Sequence, residues 1–279
     1  MLTIEKIIHA QRVLEEAIFK TDVVRTSNFI DGYELYLKAE NLQKTGSFKI
    51  RGAYYKISRL SDEEKKRGVI ACSAGNHAQG VALAAQKNGI PALICLPEGA
   101  PISKVEATRS YGAELCLVPG VYDDAYNRAI ELKEERGLTF IHPFDDEDVI
   151  AGQGTIGLEI LQQVKDVDAV VVPVGGGGLI SGVAFAVKSM NPKVQVYGVQ
   201  ASGAASMVTS LHDHKIECLP SVSTIADGIA VKQPGPLTFE YCSRYVDDIV
   251  TVTDEEICAA ILALIEKRKM IAEGAGATP

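Results

Sequence analysis

A chain of 279 residues, 47% hydrophobic and 23% charged, can bury the cores of two modest domains. Its formal net charge of −8 and isoelectric point near 5.2 argue against nucleic acid or an anionic membrane as partner, since both reward a basic surface. A small anionic ligand is still compatible, because local groups decide its binding.

The six cysteines (Cys72, Cys95, Cys116, Cys218, Cys242, Cys258) form no C-x-x-C pair and meet no histidine cluster at zinc spacing. They read as reduced, mostly core thiols of a cytoplasmic protein. The start, Met1-Leu2-Thr3-Ile4-Glu5-Lys6, has no basic region followed by an apolar one, so no signal peptide is expected.

In chain order, Ile4, Ile7, Ile8, Leu14, Ala17 and Ile18 share one helical face, which predicts an amphipathic helix over 4–18. From about residue 68 strands and helices alternate. Strand-length apolar runs are Val69–Cys72, Ala92–Leu96, Glu114–Val118 and Thr139–Ile141, with helices predicted at 76–88, 103–111 and 122–136 between them. Gly89, Gly112 and Gly137 follow those helices, where a left-handed cap is wanted. The rhythm resumes with a helix at 154–164, a strand at 169–174, a helix from 178, strands at 194–200 and 248–252, and a helix at 254–268.

Residues Ala169–Val187 carry no charge and are roughly long enough to span a bilayer, but Pro173 and Gly175–Gly178 would break that helix in its middle. A buried strand, a glycine turn and a buried helix fit better, so no membrane role is expected. Alternation with continuous apolar strands argues for an α/β fold of parallel sheets covered on both faces. Residues 53–146 read as one unit inserted between the parts, 1–52 and 147–279, of a larger one. The crevice between two such sheets is where a ligand binds.

Three stretches carry chemistry. In Thr45-Gly46-Ser47-Phe48-Lys49-Ile50-Arg51-Gly52-Ala53, Lys49 stands in a small, apolar setting before a helix. Desolvation there would lower its pKa and make it a nucleophile toward a carbonyl; an ordinary surface lysine at a helix start is the alternative. Cys72-Ser73-Ala74-Gly75-Asn76-His77-Ala78-Gln79-Gly80 ends a strand and opens a helix, which suits a carboxylate, or is simply a capped turn. Val171-Val172-Pro173-Val174-Gly175-Gly176-Gly177-Gly178-Leu179 is a strand, a four-glycine turn and a helix start, whose bare N–H groups suit a phosphate. No Gly-Lys-Ser/Thr follows, which excludes a P-loop, and the next strand ends at Gln200 rather than at an acid, which leaves a dinucleotide ribose without a partner.

Together the three stretches resemble the fold-type-II pyridoxal-phosphate enzymes, specifically the threonine dehydratase (threonine ammonia-lyase) and serine racemase branch. Weaker similarity at His142-Pro143, Ala151–Thr155, Ala226-Asp227-Gly228 and Glu273–Ala277 extends the resemblance over nearly the whole chain. It implies a tryptophan-synthase-β-like fold of two domains with parallel twisted sheets flanked by helices. The cofactor would be pyridoxal 5'-phosphate, bound covalently by Lys49, which then moves the α-proton. Phe48 would pack near the cofactor ring, with Asn76 on its phenolic oxygen and Gly228 beside it. Gly175, Gly176, Gly177, Gly178 and Leu179 would hold the phosphate, and Ser73, Ala74, Gly75, Asn76 and His77 the substrate carboxylate. L-threonine or L-serine would be the substrate, and a homodimer or homotetramer the assembly.

Three departures from that pattern matter. Racemases of the branch resemble S-S-G-N-H in the substrate loop, the second serine being an acid/base; here it is Ala74, which moves no proton and favours elimination. Gln200, Ala204 and Ser206 stand where racemases tend to carry carboxylates for a divalent cation, so no metal is expected. The sequence given stops at Pro279, before the Ser- or Cys-containing stretch that bonds the pyridine nitrogen in the family, so an incomplete larger domain is expected. Two rival readings are a serine racemase with side elimination activity and a catalytically silent cofactor-binding remnant.

Overall fold

The computed structural model describes residues 1–26, 29 and 32–279. Helix α1 (Ile4–Leu14) is capped by Thr3, whose hydroxyl accepts from Lys6 N, and ends four residues before the predicted limit. Ala17 and Ile18 are nevertheless buried, in the turn that follows. The antiparallel pair β1 (Val23–Thr26) and β2 (Leu35–Lys38) comes next; it is short and half-buried, with no clear alternation to announce it.

Helices α2 (Lys49–Ser58) and α3 (Asp62–Arg67) lead into the first sheet. Its elements are β3 (Val69–Cys72), α4 (Asn76–Asn88), β4 (Ala92–Pro97), α5 (Ile102–Ser110), β5 (Glu114–Val118), α6 (Tyr122–Arg136) and β6 (Thr139–Phe140). The four strands are parallel, in the order β5-β4-β3-β6. Strand alternation sorts the side chains between two covers. Val69, Ala71, Ile94 and Leu96 pack with Val81, Ala82 and Ala85 of α4 and with Ile50, Ala53 and Ile57 of α2. Ile70, Cys72, Leu93 and Cys95 pack with Ala125, Ala129 and Leu132 of α6. Cys72, Cys95 and Cys116 fall in register, a row of three thiols across adjacent strands. Gly89 and Gly137 close α4 and α6 in the left-handed conformation.

Helix α7 (Glu147–Gln163) starts well before the predicted 154, capped by the Asp146 carboxylate, which accepts from the amides of Asp148 and Val149. Gly152 and Gly154 hide this helix from a propensity reading, yet they are what lets it pack. A Cβ at Gly152 would stand 2.6 Å from the Gly52 Cα, so α2 and α7 meet backbone to backbone. A buried ionic knot reinforces that contact. Arg51 on α2, fully buried, binds Glu40 at 2.7 Å and Glu159 of α7 at 2.6 Å, and Lys38 of β2 binds Glu159 at 2.6 Å.

The second sheet is β7 (Ala169–Pro173), then α8 (Gly178–Met190), β8 (Gln195–Ala201), α9 (Ser206–His212), α10 (Pro236–Tyr245) and β9 (Asp248–Val252). Its three strands are parallel, in the order β7-β8-β9. Helices α11 (Asp254–Arg268) and α12 (Gly274–Ala277) follow. The uncharged run over 169–187 is thus strand, turn and helix, and no described helix is long and apolar enough to cross a membrane. Val170, Val172, Val196 and Ile249 are covered by Ile180, Val183 and Val187 of α8. The expected cover on both faces holds for the first sheet but not here. Val171 and Val250, on the other face, are about half exposed at 48% and 49%.

Candidate active site

A cleft of about 2480 Å³ runs between the two sheets and on past Val171 and Tyr197, along the open face of the second. Every residue to which the resemblance gives a role lines it: Phe48 and Lys49, the loop from Ser73 to His77, Gly175 to Leu179, and Gly228. Residues distant in sequence meet there because parallel strands deliver their C-terminal ends, β3 and β7 above all, to one side.

Lys49 opens α2, half-buried, with Nζ donating to the Pro143 carbonyl at 2.9 Å and lying 5.6 Å from the centre of the Phe48 ring. Burial pushes its pKa down to about 8, against the pull of the Glu273 carboxylate. Its carbonyl partner is held by a small turn. The Nδ1 atom of His142 accepts the amides of Phe144 at 3.2 Å and Asp145 at 2.7 Å, so that nitrogen carries no proton.

In the loop after β3, Gly75 N donates to Ser73 Oγ at 3.1 Å. Asn76 Nδ2 donates to Glu273 Oε1, tying the start of α4 to the residue that precedes α12. His77 is buried, and its Nε2–H donates to the Ile141 carbonyl at 2.8 Å. Burial and the nearby Lys49 charge lower its pKa to about 3, so it stays neutral and serves the loop as a structural donor. Ala74 lines the cleft with a methyl group alone.

The glycine turn ends β7 and starts α8, whose first N–H groups have no intrahelical carbonyl to receive them. Gly177 has φ +93°, a backbone that side chains resist. A Cβ at Gly176 would stand 2.5 Å from the Phe144 ring. The bareness of the turn therefore answers to the packed ring of Phe144 as well as to any ligand. Gly228 sits in the 3-10 turn Asp227–Ile229, where a Cβ would come within 3.0 Å of the Ala275 Cβ. Gln200, where an acid was lacking, is spent locally, donating to Ala204 O at 3.2 Å and accepting Val208 N at 2.9 Å.

Phe144, Pro143, Glu273 and Thr238 belong to the site's construction but carry no motif strong enough to single them out in the sequence; the weaker similarity at His142-Pro143 and Glu273–Ala277 is the hint at two of them. Ser47, 6% exposed, points the same way from another side: its hydroxyl has no hydrogen-bond partner among the described residues. A buried orphan hydroxyl costs on the order of 1–3 kcal/mol, which a ligand group in the cleft would offset. Free amides at a helix start, a lysine with lowered pKa and an orphan hydroxyl together fit a small phosphorylated carbonyl compound.

Residues 14–279 match the family described as pyridoxal-phosphate dependent enzyme. The chain is 57% identical over 279 residues to the L-threonine ammonia-lyase of Thermotoga maritima, covering 99% of itself and 70% of that relative. It is 49% identical over 278 residues to the catabolic L-threonine dehydratase of Escherichia coli, covering 99% of itself and 84% of that protein. Among solved structures, maize serine racemase superposes with a TM-score of 0.96 at 40% identity, with 99% of this chain and 84% of that one covered. Threonine deaminase isoform 2 of Solanum lycopersicum gives 0.95 at 42% identity, with 99% and 81% covered. The chain belongs to the family of pyridoxal-phosphate-dependent enzymes, on its fold-type-II threonine dehydratase branch.

Proposed function

We propose that this protein is an ammonia-lyase that eliminates water from L-threonine, and from L-serine, to release ammonia with 2-oxobutanoate or pyruvate. The observation that carries the reading is one cleft lined by an amine of lowered pKa and by a bare glycine turn. The names of the relatives at 57% and 49% identity support the same substrate. When bound, pyridoxal phosphate supplies an electron sink that makes the α-proton of an amino acid removable.

The chain's own residues divide the remaining work. Gly175 to Gly178 and the Leu179 amide hold the phosphate, and Phe48 and Gly228 flank the ring. Asn76 serves the phenolic oxygen once it leaves Glu273. The loop from Ser73 to His77 receives the substrate carboxylate through its backbone amides, because the His77 ring is already spent on Ile141. Lys49 Nζ, released from Pro143, holds the cofactor before turnover and takes the α-proton during it. Residues 1–52 with 147–279 form the cofactor-binding unit and 53–146 the substrate-loop unit. Two or four copies assemble in the cytoplasm.

Racemisation is the second reading, favoured by the likeness to maize serine racemase. It needs a second proton carrier, and at the loop position where racemases of the branch carry a serine this chain has only the methyl of Ala74. Purified protein loaded with pyridoxal phosphate and given L-threonine should release 2-oxobutanoate. With L-serine, pyruvate should far exceed D-serine, and Ala74→Ser should raise the D-serine share. D-serine formed as fast as pyruvate by the unaltered chain would overturn the assignment, as would silence toward both substrates.

A further inference from the structure

We infer that Thr238, a residue of α10, is the positioning residue that aims the glycine turn at the cofactor phosphate; this rests on the reading of that turn as the phosphate cradle. Thr238 is fully buried, and its Oγ1 donates to the Gly176 carbonyl at 2.6 Å while accepting Gly235 N at 3.1 Å. A hydroxyl has a single proton, and the short bond to Gly176 takes it.

The consequence follows from peptide geometry. In a planar trans peptide the carbonyl oxygen and the next N–H point in opposite directions. Drawing the Gly176 oxygen inward to Thr238 turns the Gly177 N–H outward. Gly177 at φ +93° then carries the chain into α8, whose first amides are also free. Thr238 itself has little freedom to follow a ligand. Its amide donates to Asp145 Oδ1 at 3.0 Å, and its carbonyl accepts from Ser181 Oγ of α8 at 3.3 Å. A Cβ on Gly177 would stand 2.9 Å from the Thr238 Cβ, so the Thr238 side chain lies directly against the Gly177 backbone.

The arrangement also divides two helix starts between two anions. The Asp145 carboxylate already occupies the first turn of α10 by taking the Thr238 amide. The start of α8 alongside is left for the phosphate. Thr238 therefore links a helix start that is filled to one that is open.

The test compares two ligands of the chain stripped of cofactor: pyridoxal phosphate, and pyridoxal, which lacks the phosphate. Thr238→Val keeps the shape and removes the hydroxyl. It should lose about tenfold or more in affinity for pyridoxal phosphate, as expected for one hydrogen bond to a buried carbonyl, and leave pyridoxal affinity unchanged. Thr238→Ser should keep the wild-type ratio. If the valine variant does not fold, Thr238→Ala, which adds no bulk, is read in the same way. An unchanged ratio in the variant, or equal loss of both ligands, would overturn the inference while leaving the cradle in place. A wild-type chain with no preference for the phosphorylated ligand would overturn the cradle and the inference together.

Discussion

Lys49 shows how far a single residue departs from its ordinary chemistry when its surroundings are dry. At pH 7 an amine with a pKa of about 8 is roughly one-tenth neutral, against about 1 in 3000 at the ordinary 10.5. The neutral form is the nucleophile. Covalent capture of pyridoxal phosphate should therefore speed up about tenfold from pH 7 to pH 9 and then level off. Borohydride reduction should place the label on Lys49. A rate still climbing beyond about pH 9.5, or a label on Lys44 or Lys56, would move the reactive amine elsewhere. Its neighbours, Ser47 and Phe48, leave an ordinary surface lysine open, and it is the three stretches taken together, through the family they resemble, that make this residue legible in the sequence. It could not reveal the Pro143 carbonyl as the partner of Nζ, because that contact crosses 94 positions and involves a backbone atom.

At the scale of elements, two joints set where Lys49 and the glycine turn stand. In the first, the Phe144 ring lies where Gly176 has no Cβ. Gly176→Ala should lower the melting temperature, and Phe144→Ala added to it should recover part of the loss. A double-mutant cycle should find about 0.5–3 kcal/mol of coupling; additive effects would show that the ring yields without strain. In the second, Arg51 ties α2 to α7 through Glu159. Arg51→Met leaves Glu40 without its cation and Glu159 with Lys38 alone, so a loss of about 3–5 kcal/mol is expected, which amounts to a melting temperature lower by on the order of 10 °C. Burial alone would raise the Glu159 carboxyl, but hydrogen bonds from Arg51 and Lys38 bring it below its ordinary 4.5. A depressed acid adds stability above that value, and the contribution fades as pH falls through it. Thermal melts of the wild type should weaken below about pH 4.5, and the Arg51→Met variant should lose less over that range; parallel curves would assign the acid loss to other groups. The elements legible in advance were those with their own periodicity and caps, such as α4, α6 and α11. Helix α7 was read late because its glycines serve packing rather than propensity, and β1 and β2 were missed because half-buried edges carry little pattern.

For the molecule as a whole, the order of strands and helices was legible nearly throughout, and so was the meeting of three separated motifs in one crevice. The one-sided cover of the second sheet was not, since β7 reads as a continuous apolar run whether one face or two is buried. The contacts that span the cleft were equally invisible: Lys104 reaches Asp227 at 2.7 Å, and Lys232 reaches Asp123 at 3.3 Å. Their acids are 62% and 66% exposed, and pairs of that kind contribute about 0–1 kcal/mol each. The two walls are joined there by weak, water-accessible ties, while each wall is welded internally by its own core.

The row of thiols across the first sheet makes the chain its own reporter of opening. Cys72 and Cys95 are buried with pKa values pushed up to about 12, as is Cys242 behind α8, so almost no thiolate exists there at neutral pH. Cys218 and Cys258 are exposed, and Cys116 is half-buried at the end of the row. A chromogenic disulfide reagent should therefore titrate the native chain in a staircase: two equivalents at once, a third more slowly, and the last three only as fast as the protein breathes or unfolds. Bound pyridoxal phosphate should lengthen that final tread, because a ligand held by the folded chain alone suppresses opening. Six equivalents consumed together would mean that the sheet admits solvent in its resting state.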